Sequence, residues 1–300
     1  NATRFLETSL NRSMPSKNSK GFDVVQSEVL VIGGGGAGLL AAIKAREKGA
    51  EVTFVSKSRV GYGNNTYISK AAVSVVLEGS GTQDDQKAHI RDAIFSGCFI
   101  NDQKVLKKIV GEIRPQIPFL ENRGVRFHRS AHDLLVRQAP GHSRPRNIRT
   151  HNQAGSGYTL PLRAHAMKIG IRVIENVMIT RLFAPGHRFS GAAGLTQNGD
   201  ILKFQARGCV LATGGFAQIY LKTNNAAGTT GDGQALAYEL GIPLRDMEFV
   251  QFYPTALGDL GRPMLLYEGL VLQAGAVLRN SAGENIAAKH GLNKPSSLTR

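Results

Sequence analysis

The chain has 300 residues, a net charge of +15 at pH 7, and 42% hydrophobic and 20% charged residues. This composition is typical of a soluble globular protein, and no stretch approaches the roughly 18 consecutive apolar residues of a membrane-spanning helix. The length predicts one large domain or two. The cysteines, Cys98 and Cys209, have no metal-binding or redox spacing, so we predict no metal site and a reducing compartment.

The beginning and the end of the chain predict a fragment of a longer protein. The first residues are polar and basic, and they lack the apolar core of a secretory signal. Met14 could be the natural start, so residues 1–13 are interpreted as an upstream extension within a polar segment that covers residues 1–22. Residues 296–300 have the pattern of a helix start with nothing after it, which suggests an N-terminal fragment.

Residues 28–57 predict a strand, a glycine-rich turn, a helix and a second strand. Gly33 allows the tight turn, Gly35 lets the backbone approach a pyrophosphate, and Gly38 lets the helix pack closely on the strand. Phosphates would then bind to backbone N–H groups at the helix N-terminus. A plain strand-to-helix turn is the alternative, but glycines that follow a strand and open a helix favour dinucleotide binding.

The remaining pattern predicts alternating helices and strands. A polar loop at 61–66 either lies along the cofactor or is a surface turn. The predicted helices are 39–48, 86–95, 102–122 broken near Pro115 and Pro118, 157–170 interrupted at Pro161, and 235–240. The predicted strands are 171–174, 177–182, a hairpin of 192–195 with 201–205, and a buried strand at 208–211.

Much of the positive charge lies in residues 122–151, among glycines and prolines rather than along one helix face. No nucleic-acid motif or aromatic stacking platform accompanies it, so we expect a solvated or substrate-facing loop and no nucleic-acid partner. An excess of positive charge is also compatible with an acidic metabolite as the ligand. The basic residues are Arg123, Arg126, Arg129, Arg137, Arg144, Arg146 and Arg149, with His128, His132, His142 and His151.

Two later motifs add candidate ligand contacts. The strand at 208–211 runs into Ala212, Thr213 and a double glycine that begins at Gly214, which predicts either a second backbone approach to a ligand or a plain turn. Asp232 precedes a predicted helix, so it either caps that helix or accepts hydrogen bonds from ligand hydroxyls.

In their order along the chain, these motifs resemble the flavoprotein subunit of the succinate dehydrogenase and fumarate reductase family, which also includes L-aspartate oxidase. The resemblance runs from residue 28 to residue 300. It is carried by the glycine turn at 33–38, Ser56-Lys57, Gly141-His142-Ser143, Ala-Thr-Gly-Gly at 212–215, Thr-Gly-Asp-Gly at 230–233 and Gln-Phe-Tyr-Pro-Thr at 251–255.

The resemblance implies an α/β fold with a Rossmann-like FAD-binding domain of the glutathione-reductase-like βαβ type. That domain would cover residues 23–249, and residues 250–300 would begin a capping, substrate-binding domain. Membrane-bound members attach the flavin to a histidine at the position of Asn65, so the FAD is expected to be non-covalent here. The implied FAD contacts are Gly33, Gly35, Gly36, Ala37, Gly38, Ser56, Lys57, Asn65, Thr66, Ala71, Ala72, Ala212, Thr213, Gly214 and Asp232.

The resemblance also implies an enzyme that transfers a hydride between flavin N5 and a small dicarboxylate. Arg300 falls on the arginine that exchanges a proton with the substrate, and Glu268 falls on the glutamate that relays it. An arginine is a poor acid in water, so it needs a desolvated site and a carboxylate relay to act. Tyr253, Tyr267 and His142 are the implied substrate-binding residues.

Several positions depart from the family pattern. Tyr253 replaces a histidine, Tyr267 a threonine and Val271 a relay arginine, while Ala71 and Ala72 replace a glycine pair near the flavin ring. These substitutions leave open a flavin-binding electron-transfer subunit with altered or no dicarboxylate activity. An NAD(P)-dependent enzyme is the weaker third hypothesis, because the second strand ends in Ser56-Lys57 without the acidic residue that binds an NAD ribose.

The implied partners are a small anionic carboxylate and an iron–sulfur electron-transfer subunit. The resemblance implies a cytoplasmic location, with contact to the inner face of the membrane only through partner subunits.

Overall fold

A computed structural model describes residues 16–17, 23–69, 72–77, 84–130, 133–139, 141–252, 256–257, 264–265 and 277–291. The chain forms two compact units. Unit 1 comprises Asn1–Gly63, Arg163–Phe216 and Gly228–Leu244, and unit 2 comprises Asn64–Leu162, Ala217–Ala227 and Arg245–Arg300.

Unit 1 contains a parallel four-stranded sheet. Its members are β3 (Val29–Ile32), β4 (Val52–Ser56), β9 (Arg172–Glu175) and β13 (Gly208–Leu211), in the order β13-β3-β4-β9. Helix α1 (Gly36–Glu47) connects β3 to β4, which confirms the predicted strand–turn–helix–strand unit. The two central strands are buried on both faces, and this explains their continuous apolar runs.

The strand β13 lies at the edge of this sheet, so the prediction of a buried strand there is wrong. Among the described strands it pairs only with β3, and Val210 and Leu211 are 38% and 36% exposed. The apolar composition of residues 208–211 resembles that of a central strand, but composition does not reveal where a strand lies in the sheet order.

A second sheet in unit 1 is mostly antiparallel. Its strands are β1 (Ser16–Lys17), β2 (Asp23–Gln26), β10 (Val177–Phe183), β11 (Gly191–Thr196) and β12 (Ile201–Gln205), in the order β1-β2-β12-β11-β10. The hairpin of β11 and β12 confirms the predicted one, and its turn places Gly199 at a φ of 90°, where a side chain would be strained.

The main core of unit 1 joins residues of both sheets with Leu236 of helix α6 (Asp232–Glu239). Burial of these apolar side chains fixes the ends of β3 and β4 where the glycine turn begins. The cluster consists of Val25, Leu30, Ile32, Val55, Val177, Ile179, Leu182, Ala192, Phe204, Ala206 and Leu236.

Unit 2 is built around helices α3 (Gln86–Ser96) and α4 (Gln103–Glu121), which pack against each other. Asp85 caps α3 by accepting a hydrogen bond from the backbone of Ala88 at 2.7 Å. Asp102 caps α4 in the same way at its first turn.

The prolines do not interrupt the helices, so that part of the prediction is wrong. Pro115 and Pro118 lie inside α4, and Pro161 lies inside α5 (Ser156–Lys168). A proline removes a hydrogen bond to the carbonyl four residues earlier. Pro115 and Pro118 are exposed, so water can bond to those carbonyls, while buried residues on the opposite face hold α4 in place.

The remaining elements are short. Their bounds are α2 (Asn65–Ile68), β5 (Val73–Ser74), β6 (Arg129–Ser130), β7 (Asp133–Leu134), β8 (Asn147–Ile148), β14 (Ala256–Leu257), β15 (Met264–Leu265) and α7 (Ile286–Lys289), with 3₁₀ turns at Pro185–His187 and Ala217–Ile219. In unit 2, β5 pairs with β8, β6 with β7 and β14 with β15, all antiparallel. No described helix is long and apolar enough to cross a membrane.

Candidate functional site

The glycine turn lies at the carboxyl edge of the parallel sheet in unit 1. The Gly33 N–H donates to the carbonyl of Val55 at 2.9 Å, and the Ala212 N–H donates to the carbonyl of Ile32 at 2.8 Å. These bonds bring the ends of β3, β4 and β13 together. Open α/β sheets bind their ligands at this edge.

No side chain would fit at the two outer glycines of the turn. A Cβ on Gly33 would lie 2.3 Å from the carbonyl oxygen of Ala212, and the φ of Gly33 is 114°. A Cβ on Gly38 would lie 2.0 Å from the carbonyl oxygen of Gly33 and 3.0 Å from the Phe54 ring. The turn is therefore closed against β13 and α1, as the roles predicted for Gly33 and Gly38 require.

Helix α1 starts directly after this turn. Its N-cap is Gly35, which has no side chain to accept hydrogen bonds from the first turn, and Gly36 and Ala37 are the first helical residues. No acidic residue lies in this first turn. A helix start without a side-chain cap or a negative charge fits a phosphate, because its backbone N–H groups and dipole attract an anion.

A charged pair stands at the end of β4. The Lys57 ammonium donates to Asp232 Oδ2 at 2.5 Å and to Thr230 Oγ1 at 2.7 Å, and the Thr230 hydroxyl donates to Asp232 Oδ1 at 2.5 Å. The N-cap of α6 is Gly231, so Asp232 does not cap the helix. Its carboxylate retains lone pairs for ligand hydroxyls, which keeps the ligand-binding alternative open.

The double glycine packs on the start of α6. Gly214 has a φ of 79°, and its carbonyl accepts a hydrogen bond from Gln234 Nε2 at 3.1 Å. A Cβ on Gly233 would lie 2.1 Å from Thr213 Oγ1. The predicted contacts Ala212, Thr213 and Gly214 therefore lie on the same sheet edge as the glycine turn.

In unit 2, helix α2 carries two more of the predicted flavin contacts, Asn65 and Thr66. The Asn64 side chain caps this helix by accepting from the Tyr67 N–H at 2.9 Å. Asn65 Nδ2 donates to Asn225 Oδ1 at 2.5 Å, and Asn65 Oδ1 accepts from the Ala226 N–H at 2.7 Å. Asn65 thus ties its helix to the 223–226 segment.

Gly155 packs against the same helix. Its N–H donates to the carbonyl of Ser69 at 2.7 Å, and a Cβ there would lie 1.5 Å from the carbonyl oxygen of Thr66. Only a glycine allows this approach.

His142 belongs to a charged cluster in unit 2. Its Nδ1 lies 2.9 Å from Arg146 Nη1, and its Nε2 lies 3.4 Å from Ser74 Oγ. The Arg146 side chain is fully buried and bonds Asp84 with two nitrogens, at 2.7 and 2.8 Å, and Asp92 at 2.6 Å. Arg146 was expected in a solvated or substrate-facing loop, and its burial corrects that expectation.

Burial shapes the proton affinities of this cluster. It lowers the pKa of both His142 and His89, and the positive charge of Arg146 lowers them further, although Asp84 and Asp92 act in the opposite direction. Burial raises the pKa of Asp92, but hydrogen bonds from Ser143 and Arg146 outweigh it, so the net shift is downward.

Five predicted site residues lie outside the described residues: Ala71, Tyr253, Tyr267, Glu268 and Arg300. Ala72 is half-buried directly before β5.

The roles of Asp84, Asn225 and Gly155 were not predicted from sequence, and Arg146 was not distinguished from its basic neighbours. The glycines at 155 and 157 are a signal of close backbone packing, whereas Asp84 carries no local signal because its partner is 62 residues away.

The residues at the sheet edge of unit 1 fit a dinucleotide. The glycines leave room for a diphosphate, and the Asp232 carboxylate can accept hydrogen bonds from hydroxyl groups. Residues 28–295 match a family described as the FAD binding domain. The chain belongs to this family. FAD is therefore its cofactor, and the predicted Rossmann-like α/β fold class is confirmed.

Relatives of this family include several oxidoreductases. The chain is 35% identical over 266 residues to L-aspartate oxidase of Pyrococcus abyssi, covering 87% of this chain and 52% of the relative. It is 31% identical over 272 residues to one subunit of the fumarate reductase (CoM/CoB) of Methanothermobacter marburgensis, covering 89% and 50%. A quinol fumarate reductase structure from E. coli matches with a TM-score of 0.79 and 25% identity, over 87% of this chain and 44% of that one. The chain spans about half the length of the curated relatives it matches.

Proposed function

We propose that this chain carries the FAD-binding part of an oxidoreductase that transfers a hydride between the flavin and a small carboxylate, of the succinate dehydrogenase and fumarate reductase type. The observation that supports it most is the convergence of the 33–38, 56–57 and 212–214 segments with Asp232 at one sheet edge. L-Aspartate oxidase and fumarate reductase among the relatives support the choice of a small carboxylate as substrate.

Within this proposal, the FAD phosphates bind at Gly33, Gly35, Gly36, Ala37 and Gly38. Ser56, Lys57 and Asp232 lie beside them in unit 1 and supply hydrogen bonds to ligand hydroxyls. The segment Ala212, Thr213 and Gly214 approaches the cofactor with its backbone.

Asn65, Thr66, Ala71 and Ala72 are the proposed contacts to the flavin ring. A covalent bond is not expected, because an amide is not a nucleophile and both ends of the Asn65 side chain are already hydrogen-bonded. The FAD is therefore proposed to be released by acid.

Bound FAD supplies the group that gives or accepts a hydride. Reduction of a carbon–carbon double bond also needs a proton on the neighbouring carbon, and we propose that Arg300 donates it and that Glu268 reprotonates Arg300. Tyr253, Tyr267 and His142 are the proposed carboxylate-binding residues. Residues 250–300 are proposed to begin the capping, substrate-binding domain, which contains Tyr253 and Tyr267.

A second candidate function is a flavin-binding electron-transfer protein with altered or no dicarboxylate activity. It is favoured by Tyr253, Tyr267 and Val271. Tyr253 stands where a histidine is expected and Val271 where an arginine is expected, and neither a phenol nor an alkyl group supplies their positive charge.

The electron partner is proposed to be an iron–sulfur subunit, and the location cytoplasmic with membrane contact only through partner subunits. The fumarate reductase relative is itself named as one subunit of its enzyme, which supports a multi-subunit assembly. Co-purification of an iron–sulfur protein with the intact protein tests this proposal.

The proposed function is tested by an anaerobic half-reaction. The flavin of the intact protein is reduced, the reductant is removed, and fumarate is added while the visible flavin absorption is followed. If the absorption returns in the wild type but does not return in Arg300→Gln with the flavin still bound, the result would support dicarboxylate chemistry. A flavin that stays reduced with fumarate, and is not reduced by L-aspartate or succinate from its oxidised form, would favour the electron-transfer function.

A further inference from the structure

The cluster around Arg146 fixes the orientation of its side chains as well as balancing their charges. Arg146 is fully buried, and its three nitrogens contact two carboxylates and the His142 ring. Asp92 Oδ2 also accepts hydrogen bonds from the backbone N–H and the hydroxyl of Ser143, both at 2.8 Å. An arginine held by this many bonds cannot turn away from His142.

The contact with Arg146 determines which nitrogen of His142 carries the proton. A guanidinium only donates hydrogen bonds, so the His142 Nδ1 at 2.9 Å must accept one with its lone pair. In a neutral imidazole the proton then resides on Nε2. A doubly protonated ring would direct a second N–H at the Arg146 N–H, and this bond would be lost.

Several charged and titratable groups surround the His142 ring and affect its protonation. Arg146 disfavours a positive His142, whereas Asp92 and Asp84 favour it, and the centroid of the His89 ring lies 5.7 Å away. Both carboxylates are already bonded to Arg146, which limits their effect on the ring. Burial is the larger cause and Arg146 adds to it, so the pKa of His142 is lowered overall.

The Nε2 side of His142 faces Ser74 on β5. The 3.4 Å separation is at the long end of the hydrogen-bond range, so a closer acceptor would displace this contact. The Ser74 hydroxyl accepts there and also from Asn147 Nδ2 at 3.5 Å, and its own proton can go to a third partner. Two uncharged donors therefore lie side by side.

We infer that His142 Nε2–H and the Ser74 hydroxyl form an uncharged donor pair for a ligand carboxylate, with Arg146 as the positioning residue that keeps His142 neutral. The role of the pair toward a carboxylate rests on the proposed function. The protonation state of His142 does not, because it follows from the contact with Arg146 and from the burial of the ring. Binding through this pair would not gain strength on mild acidification, unlike binding through a protonated histidine.

The inference is tested by NMR of the intact protein with isotope-labelled histidine rings, between about pH 8 and about pH 5.5. The His142 signal is assigned by its disappearance in His142→Asn and its persistence in His187→Asn. We expect a neutral ring with the proton on Nε2 at about pH 8, and protonation of the ring only at a pH below the ordinary pKa of 6.5. Ser74→Ala should leave this pattern unchanged, and Arg146→Lys, if folded, should lose the preference for Nε2.

A ring protonated on Nδ1, or one doubly protonated near neutral pH, would overturn the inference whatever Arg146→Lys does. Succinate is then added to the oxidised protein. Movement of the His142 signal together with a change in the flavin spectrum supports the donor pair. A flavin spectrum that responds while His142 does not would overturn the carboxylate role. If the flavin does not respond to succinate or fumarate, the proposed function fails and the carboxylate role fails with it, while the NMR result on the protonation state stands.

Discussion

Asn65 and Asn225 are joined by a 2.5 Å hydrogen bond between their side-chain amides, and the other end of Asn65 accepts the Ala226 N–H. Asn65 thus ties helix α2 to the 223–226 segment within unit 2. An amide suits this role because it donates and accepts at the same time.

Replacing Asn65 should loosen this connection. Asn65→Ala removes a donor to Asn225 and an acceptor for the buried Ala226 N–H, and each lost bond costs about 1 kcal/mol or more. We expect faster hydrogen exchange at residues 64–69 and 223–226, and weaker FAD retention on dilution. Asn224→Ala is the control, since Asn224 is exposed and gives only a 3.4 Å contact. Equal behaviour of the two variants would contradict this role.

A methyl group on Gly155 should displace helix α2. The added Cβ would lie 1.5 Å from the carbonyl oxygen of Thr66, so the backbone must move. We expect Gly155→Ala to lower the melting temperature and the FAD affinity. Gly111→Ala is the matched control in unit 2, because its nearest atom is 3.9 Å away and alanine favours a helix by about 0.5–1 kcal/mol. A Gly155→Ala protein as stable as Gly111→Ala would refute the close packing.

The buried ion pair of Arg146 with Asp84 should be sensitive to loss of one partner. Asp84→Asn leaves Arg146 short of one negative charge in a site where both side chains are nearly inaccessible, and such changes cost about 3–5 kcal/mol. Glu121→Gln breaks the more exposed pair with Arg129 and should cost less than about 1 kcal/mol. Denaturant unfolding of the intact protein measures both, and similar midpoints would count against a buried pair.

The lowered histidine pKa values predict a stability that falls in mild acid. The unfolded chain takes up protons at the ordinary pKa of 6.5, whereas folded His89 and His142 take them up only at lower pH. Their contribution is therefore complete above pH 6.5 and is lost as the pH falls toward the folded pKa values. Each contributes at most about 1.4 kcal/mol per pH unit, and less for the partly exposed His142 because of solvent screening.

His142→Asn should make the unfolding midpoint less dependent on pH between about 6.5 and 5. An unchanged pH dependence in this variant would show that His142 is not held neutral.

The sheet edge of unit 1 was predictable from sequence because its information is local. The glycines at 33, 35 and 38 lie within one turn between a strand and a helix, and Gly33 and Gly38 make close backbone contacts there. The hairpin at Gly199 was predictable for the same reason. Composition alone did not place β13, since an apolar strand of four residues can be central or peripheral.

The contacts of Arg146 and Asn65 in unit 2 could not be predicted from sequence, because they join residues that are distant along the chain. Asp84 meets Arg146 from 62 positions away, and Asn65 meets Asn225 from 160 positions away. Arg146 resembled its basic neighbours in sequence, and only the fold separates it from them. The predicted break of α4 at its prolines was wrong for a different reason, because the exposed face of a helix tolerates the loss of hydrogen bonds.

The flavin content of the purified protein shows whether the glycine turn of this chain holds FAD. The intact wild type is compared with Gly38→Ala, whose added Cβ would lie 2.0 Å from the Gly33 carbonyl oxygen, and with Gly208→Ala, where nothing lies within 4 Å. We predict equimolar, acid-released FAD in the wild type and in Gly208→Ala, and little in a folded Gly38→Ala. A wild type that stays colourless after incubation with FAD, or a Gly38→Ala variant with a full complement of FAD, would contradict FAD binding at this turn.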